Sequence, residues 1–281
     1  MKAVVGIDGS KYGEWAVEWL AELPFRTVPS VVGVHGLDLQ SEPAPFLTHP
    51  SISGFEPDAG EAAHFLESRA KRVVAETQQR LKRLGLKGSV RVEHGAIAHA
   101  LLKHAGNNGL LVVGSRGLNA LDRFMMGSVS TAITLHAACP VLVVKEAPKP
   151  VRRVLFATDG SPASDKARQF LIKQFKTKSA GEPVVILLVH VMPFLRYAVV
   201  KEAGEKLLVR ETAKLEKAGY RVREFPRVGP AGDEIMKVVA REQPDLIVTG
   251  AKGRSAVKRF LQGSVSIKIV QQSDCSVLVV R

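Results

Sequence analysis

The sequence is written twice. Gly114 to Ser130 reads Gly, two residues, Gly, nine residues, Gly-Ser-Val-Ser, and Gly250 to Ser266 repeats the pattern with the same gap. Each copy follows an apolar run, Leu110 to Val113 or Leu246 to Thr249. Upstream, the apolar segment ending in Asp8-Gly9-Ser10 returns 151 residues later as the segment ending in Asp159-Gly160-Ser161. A duplication this long restricts the chain to two copies of one domain, each repeating the same order of elements. At 281 residues there is room for two domains of ordinary size. The break falls in Lys145 to Pro150, a short linker stiffened by two prolines, which gives domains 1–147 and 148–281.

Within each half, apolar runs alternate with segments of helical spacing. The first strand is followed by a helix over Tyr12 to Leu23 or Ser164 to Phe175, with Ser10 and Ser161 as caps. A second strand ends in His35 or His190. A long amphipathic helix comes next, Glu61 to Leu84 or the shorter Ala203 to Ala218, each closed by glycine. A third strand (Val90 to His94; Tyr220 to Val228) and a third helix (Ile97 to Ala105; Asp233 to Glu242) precede the glycine motif. The fifth strands are Val141 to Val144 and Val277 to Val280. The first half carries about 19 extra residues, mostly in Asp38 to Gly60, read as a long surface loop that includes His49. Alternating strands and helices with continuous apolar strands predict α/β halves, each a doubly wound five-stranded parallel sheet covered on both faces. Order 2-1-3-4-5 and order 3-2-1-4-5 both suit five strands, and in either a ligand belongs beyond the strand carboxyl ends, between the first and fourth.

The doubled glycine motif is the chemical signal. Glycine at a strand tip is expected to take positive φ and let backbone approach a ligand. The closing Gly-Ser opens a helix, whose free N–H groups favour anionic oxygens. The two together predict a phosphate cradle. No Walker loop and no Gly-x-Gly-x-x-Gly fingerprint occurs. Asp in Asp-Gly-Ser reads equally as a ligand contact or as a turn and cap residue.

Other classes find less support. No run of eighteen apolar residues suggests a membrane span, and no signal peptide is evident, so the cytoplasm is the expected location. Cys139 and Cys275 stand at equivalent places without metal-ligand company and read as buried thiols. Residues 1–147 hold 15 Lys and Arg against 14 Asp and Glu; residues 148–281 hold 25 against 13, so most of the net +13 lies in the second half. Those cations (Lys166, Arg168, Lys214, Lys258, Arg259 among them) are scattered over helices without interleaved aromatics, and no nucleic-acid partner is expected. No nucleophile–base set or paired carboxylates stand out, and Asp122 has Lys258 as its counterpart. Efficient catalytic turnover is not expected.

On the Asp-Gly-Ser turns, the His-bearing second strands and both Gly-x2-Gly-x9-Gly-Ser motifs, each half resembles a universal stress protein domain, and the chain resembles a tandem member of that family's ATP-binding branch. The resemblance implies a 3-2-1-4-5 sheet, ATP or another adenine nucleotide at the strand tips (with or without Mg), and pairing through the fifth strands, here as an intrachain pseudo-dimer. A homodimer of such chains and an unidentified protein partner are compatible with it. Carried over by position, Asp8 and Asp159 hold ribose or adenine. Gly114, Gly117, Gly127, Ser128, Gly250, Gly253, Gly263 and Ser264 line the phosphates, with Arg116 and Lys252 inside the cradles. Val129 and Val265 give backbone N–H groups, next to Ser130 and Ser266. Ile7, Val113, Thr158 and Thr249 close the strand ends. Val191 gives adenine an apolar contact, whereas Gly36 at the matching place offers only backbone, so the two sites are expected to differ. The resemblance points to an ATP-binding stress-response regulator; the same scaffold also admits a slow ATPase or nucleotidyl-transfer enzyme, or a nucleotide-free paired scaffold.

Overall fold

A computed structural model describes residues 1–37, 59–117, 126–194, 197–252 and 263–281. The first half runs β1 (Lys2–Ile7), α1 (Lys11–Glu22), β2 (Ser30–Leu37), α2 (Ala59–Arg83), β3 (Gly88–His94), α3 (Ile97–Ala105), β4 (Leu110–Gly114), α4 (Ser128–His136) and β5 (Val141–Val144). The second runs β6 (Arg153–Ala157), α5 (Pro162–Gln174), the two-residue strands β7 (Lys178–Ser179) and β8 (Glu182–Pro183), β9 (Val185–Met192) and α6 (Tyr197–Lys217). It continues through β10 (Arg221–Val228), α7 (Ala231–Glu242), β11 (Leu246–Gly250), α8 (Ser264–Gln272) and β12 (Val277–Val280). Of the loop expected at Asp38 to Gly60, residues 38–58 lie outside the described residues, and Ala59 and Gly60 open α2.

Ten of these strands form one sheet in the order β10-β9-β6-β11-β12-β5-β4-β1-β2-β3. Each half is therefore 3-2-1-4-5 and parallel, which decides between the two orders that strand count allowed. The halves meet through the single antiparallel pair, with Leu142 opposite Leu278 and Val141 opposite Val279. All four residues of β5 are fully buried. Burying each Val or Leu is worth about 1.5–3 kcal/mol, so the strands that form the seam lie within the core.

Both faces of the sheet are covered. On one side Trp19 and Leu20 of α1, Leu81 of α2, Leu171 of α5 and Leu215 of α6 pack in one core that crosses the seam without a break. On the other, Leu101 of α3, Ile133 of α4, Val238 of α7 and Ile269 of α8 pack against the alternate strand residues. Alternation follows from the strand period of two: Leu110 and Val112 face the first core, Leu111 and Val113 the second. Ser10 and Ser161 cap α1 and α5, accepting from the N–H groups of Gly13 and Ser164; such a cap is worth about 1 kcal/mol. The second strands do not end at their histidines but run two residues further, because their ladders with the third strands continue through Leu37 and Met192. The His35 and His190 Nδ1–H groups donate to the Ile7 and Thr158 carbonyls, each at 2.9 Å.

Reciprocal contacts tie the seam on each face. Arg26 N–H donates to the Gln174 carbonyl at 2.7 Å and Lys176 N–H to the Pro24 carbonyl at 2.6 Å, with the Phe25 and Phe175 rings edge to face at 5.4 Å. On the other face, the residue following each fifth strand reaches the end of the opposite half's last helix. Lys145 Nζ donates at 2.5 Å to the carbonyl of Ser273, the C-cap of α8. Arg281 Nη2 donates to the Thr134 carbonyl in the last turn of α4. A cation at a helix carboxyl end is favoured by the helix dipole. Among the described residues, no helix is long and apolar enough to cross a membrane.

Candidate functional site

At the carboxyl ends of the central strands the two halves build the same frame. After β1, Asp8 Oδ1 accepts from the Ser10 N–H at 2.9 Å and the Ser10 hydroxyl at 2.6 Å. Gly9 takes φ +79° to make the turn, and Gly160 takes φ +69° at the equivalent place. Asp159 Oδ1 accepts from the Ser161 N–H at 3.0 Å. The carboxylates thus serve their turns and remain at the strand tips.

The glycine motif is closed at its base in each half by the same bonds. Gly127 N–H donates to the Ser115 carbonyl at 2.9 Å, and Gly263 N–H to the Ala251 carbonyl at 2.7 Å. The Ser130 hydroxyl reaches the carbonyls of Ser115 and Gly127, and the Ser266 hydroxyl those of Ala251 and Gly263. Both serines are buried, so their hydroxyls fasten the loop. Helices α4 and α8 then start on Gly127 and Gly263, which offer no side-chain cap. By helix geometry the first N–H groups, those of Ser128, Val129 and Ser130 or Ser264, Val265 and Ser266, have no intrahelical partner. The Ser128 and Ser264 side chains are exposed. Gly253, with Asp122 and Lys258, lies outside the described residues.

The expectation of positive φ at the motif glycines is corrected. Gly114, Gly117, Gly127, Gly250 and Gly263 have none. Crowding is the reason for glycine at three of them. A Cβ on Gly114 would lie 2.6 Å from Tyr12 Cβ, and one on Gly250 2.6 Å from the Ala163 carbonyl carbon, because α1 and α5 start directly against those strand ends. A Cβ on Gly117 would fall 2.8 Å from Asp8 Oδ2. The loop backbone therefore lies on the carboxylate that the sequence places in the same site.

The remaining predicted residues divide. Ile7, Val113, Thr158 and Thr249 are buried at the strand ends. Val129, Val265 and Val191 are half-buried against the second core. Arg116 Nη1 donates to the Tyr12 hydroxyl at 2.9 Å, with its guanidinium 5.5 Å from that ring. Lys252 accepts the Ser161 hydroxyl at its carbonyl, 3.3 Å away. Sequence reading passed over the cluster around Arg116: Lys11 lies 5.2 Å from the Tyr12 ring and 5.4 Å from Trp15. Ala163 and Lys166 hold the positions of Tyr12 and Trp15 in the second half, so comparison of the halves was the available signal.

Gly36 was also read incompletely. A Cβ there would lie 2.7 Å from Ile97 Cβ, so the first turn of α3 already fills that space. A separate groove of about 1380 Å³ runs between the halves, its lining including Arg116, Lys145, Glu146, Lys149, Gln272 and Asp274. Burial, with Arg116 nearby adding repulsion and Asp274 opposing it, brings the Lys145 pKa down to about 8.

Fold and strand-tip frame together define a tandem, doubly wound α/β protein whose two glycine loops close onto Asp-Gly-Ser turns. The chain belongs to the universal stress protein family, a stress-response family whose model matches residues 1–145 and again 150–281. It is 29% identical over 291 residues to a universal stress protein of Mycolicibacterium smegmatis, covering 99% of this chain and 96% of that one. A universal stress protein of Mycobacterium tuberculosis (strain ATCC 25618 / H37Rv) is 27% identical over 322 residues, covering 99% and 94%. The crystal structure of a universal stress protein from Archaeoglobus fulgidus superposes with a TM-score of 0.70 at 19% identity, covering 100% of this chain and 98% of that one, a likeness of fold.

Proposed function

We propose that this chain is an adenine-nucleotide-binding regulatory protein with one site in each half, and that bound nucleotide alters a surface read by a protein partner. One observation carries the reading: in both halves a loop fastened by identical backbone bonds delivers an uncapped, glycine-started helix to the tip of an Asp-Gly-Ser strand. N–H groups without an intrahelical partner at such a start suit phosphate oxygens. Gly117 is held so close to Asp8 that any side chain would collide with the carboxylate, which fits a cradle that must stay open.

In this reading the backbone at Gly127, Ser128 and Val129, and at Gly263, Ser264 and Val265, holds the phosphates, with the exposed Ser128 and Ser264 hydroxyls beside them. Asp8 and Asp159 accept from ribose hydroxyls or the base amine, and Arg116 and Lys252 stand on the loops. ATP supplies the polyanionic tail that this arrangement neutralises; Mg is compatible with it. Regulation by occupancy follows, because the loop bases also abut the seam: Ser115 N–H donates to the carbonyl of Val144, the last residue of β5.

Calorimetry with ATP tests this. The intact chain is expected to bind two equivalents, and Gly127→Glu or Gly263→Glu one. Gly127 has ordinary helix-entry dihedrals and a Cβ there meets nothing closer than 3.6 Å, so Gly127→Glu keeps its fold while its carboxylate repels phosphate. Gly263 has similar dihedrals but is buried, so circular dichroism and denaturant unfolding of Gly263→Glu check that its half stays folded. Folded chain that takes up no ATP, or variants with undiminished stoichiometry, would overturn the reading. Steady phosphate release abolished by Asp159→Ala would instead establish an enzyme.

A further inference from the structure

The two halves build one wall of their strand-tip crevices from opposite partners. Gly36 and Val191 occupy the same rung: Gly36 pairs with Glu93 as Val191 pairs with Arg227, each one residue past the histidine of its strand. Gly95 and Gly229 then make matching turns, their N–H groups donating to the Leu37 and Met192 carbonyls at 3.0 and 2.9 Å. Two residues later each third helix begins, with Ile97 in one half and Ala231 in the other. The pair is therefore Gly36 with Ile97 in the first half and Val191 with Ala231 in the second.

This is an exchange of bulk between strand and helix. Ile97 stands where a β2 side chain would go, its Cβ 2.7 Å and its Cδ1 and Cγ1 3.1 Å from the Cβ that Gly36 lacks. Val191 and Ile97 are both half-buried against the same core face. Gly36 lies one rung beyond the pairing of Ile7 with His35, hence level with Asp8. Volume-conserving exchanges of this kind keep a packed surface apolar while moving its source.

We propose that Ile97 is the residue of the first half that receives the nucleotide base, supplying from the start of α3 the apolar contact that Val191 supplies from β9 in the second. The inference rests on the nucleotide-binding reading above. It makes Ile97 a specificity-determining residue for a planar, apolar-faced base, with no part in holding phosphate. The first site is then a differently built pocket, and removal of one side chain from α3 weakens it.

The test uses the full chain carrying Gly263→Glu, so that only the first site reports, with ATP and inorganic tripolyphosphate as paired probes in calorimetry. Ile97→Ala is expected to weaken ATP about tenfold, equivalent to about 1.4 kcal/mol, and to leave tripolyphosphate within about twofold. Gly36→Val alone collides with Ile97 and weakens ATP; Gly36→Val with Ile97→Ala, which copies the second half, restores it. Unchanged ATP affinity in Ile97→Ala, or an equal loss for both probes, would overturn the proposal while leaving nucleotide binding intact. A parent chain that binds neither probe would remove the underlying reading and this inference with it. Should Gly263→Glu unfold the second half, the unsubstituted chain reports the same comparison as a change in one of two binding steps.

Discussion

Lys145 gives the sharpest test of how the halves are held together. Its ammonium donates to the Ser273 carbonyl across the seam, and burial brings its pKa from 10.5 down to about 8. In the unfolded chain the amine keeps its ordinary value. Between about pH 8 and 10.5 the unfolded state therefore holds a proton that the folded state has released, and stability rises with pH across that window. The gap from 10.5 to about 8, at about 1.4 kcal/mol per pH unit, makes the charged form cost about 3 kcal/mol at neutral pH. Lys145→Met retains most of the apolar stem and removes the titrating group. Guanidinium unfolding of both chains from pH 7 to 10.5 isolates the effect. Tyr220, raised to about 12 by burial, and Cys275, also raised by burial, lower stability at alkaline pH in both chains and cancel in the difference. The natural chain is expected to gain about 3 kcal/mol on the variant over that range. A difference that stays flat would show that the amine is solvated and that the seam tie is not buried.

Two further outcomes follow from packing. Glu211 on α6 is fully buried with Arg168 Nε at 2.7 Å and Lys214 Nζ at 2.8 Å, so Glu211→Ala leaves the largely buried Arg168 charge with only the more exposed Asp165 carboxylate, 2.9 Å from its Nη2. Denaturant titration is expected to show a loss of about 3 kcal/mol or more, and a loss below about 1 kcal/mol would mean that water solvates Arg168 without reorganisation. Gly250→Ala sets a methyl 2.6 Å from the Ala163 carbonyl carbon and 2.7 Å from the Ser164 nitrogen, both backbone atoms at the start of α5. It should cost about 1–3 kcal/mol in the same assay, whereas Gly127→Ala, with its nearest neighbour at 3.6 Å, should be nearly neutral; equal effects would contradict the packing account of the motif.

What the sequence made legible was whatever short-range pattern controls. Apolar runs bounded the fifth strands at Val141–Val144 and Val277–Val280, and helical spacing bounded α3 at Ile97–Ala105, as observed. Strand order needed more, because spacing alone admits two doubly wound orders and only the pairing of β1 with both β2 and β4 selects one. The glycine motif was legible in the sequence, but the reason for its glycines was not. Positive φ is a local property, but the demand at Gly114 comes from Tyr12, 102 residues away in sequence. Gly36 looked like a missing contact for the same cause, since Ile97 sits 61 positions downstream. Lys145 and Arg281 showed no motif, because a helix cap delivered across a seam leaves no spacing to read.

The seam explains how two halves with one fold came to hold different side chains at their strand tips. Its ties are made mainly to backbone: Leu142 opposite Leu278, Arg26 N–H to Gln174 and Lys176 N–H to Pro24, a lysine or an arginine to a helix-end carbonyl. Backbone geometry constrains the pseudo-two-fold while leaving most side chains uncommitted. In a dimer of identical chains, exchanging Val for Gly on the second strand would change both pockets together. In one chain carrying two copies, Gly36 with Ile97 and Val191 with Ala231 coexist, as do Tyr12 with Arg116 and Ala163 with Lys252. Fusion therefore lets the strand-tip side chains diverge while the shared sheet stays intact. Val144 binds the base of the first motif at Ser115 and the next residue, Lys145, holds α8, so a continuous path of contacts runs from that base to the second half. The second loop has the matching route, from Val280 and Ala251 through Arg281 to α4. The bases of both glycine motifs are thus joined to the opposite half through the same pair of short strands.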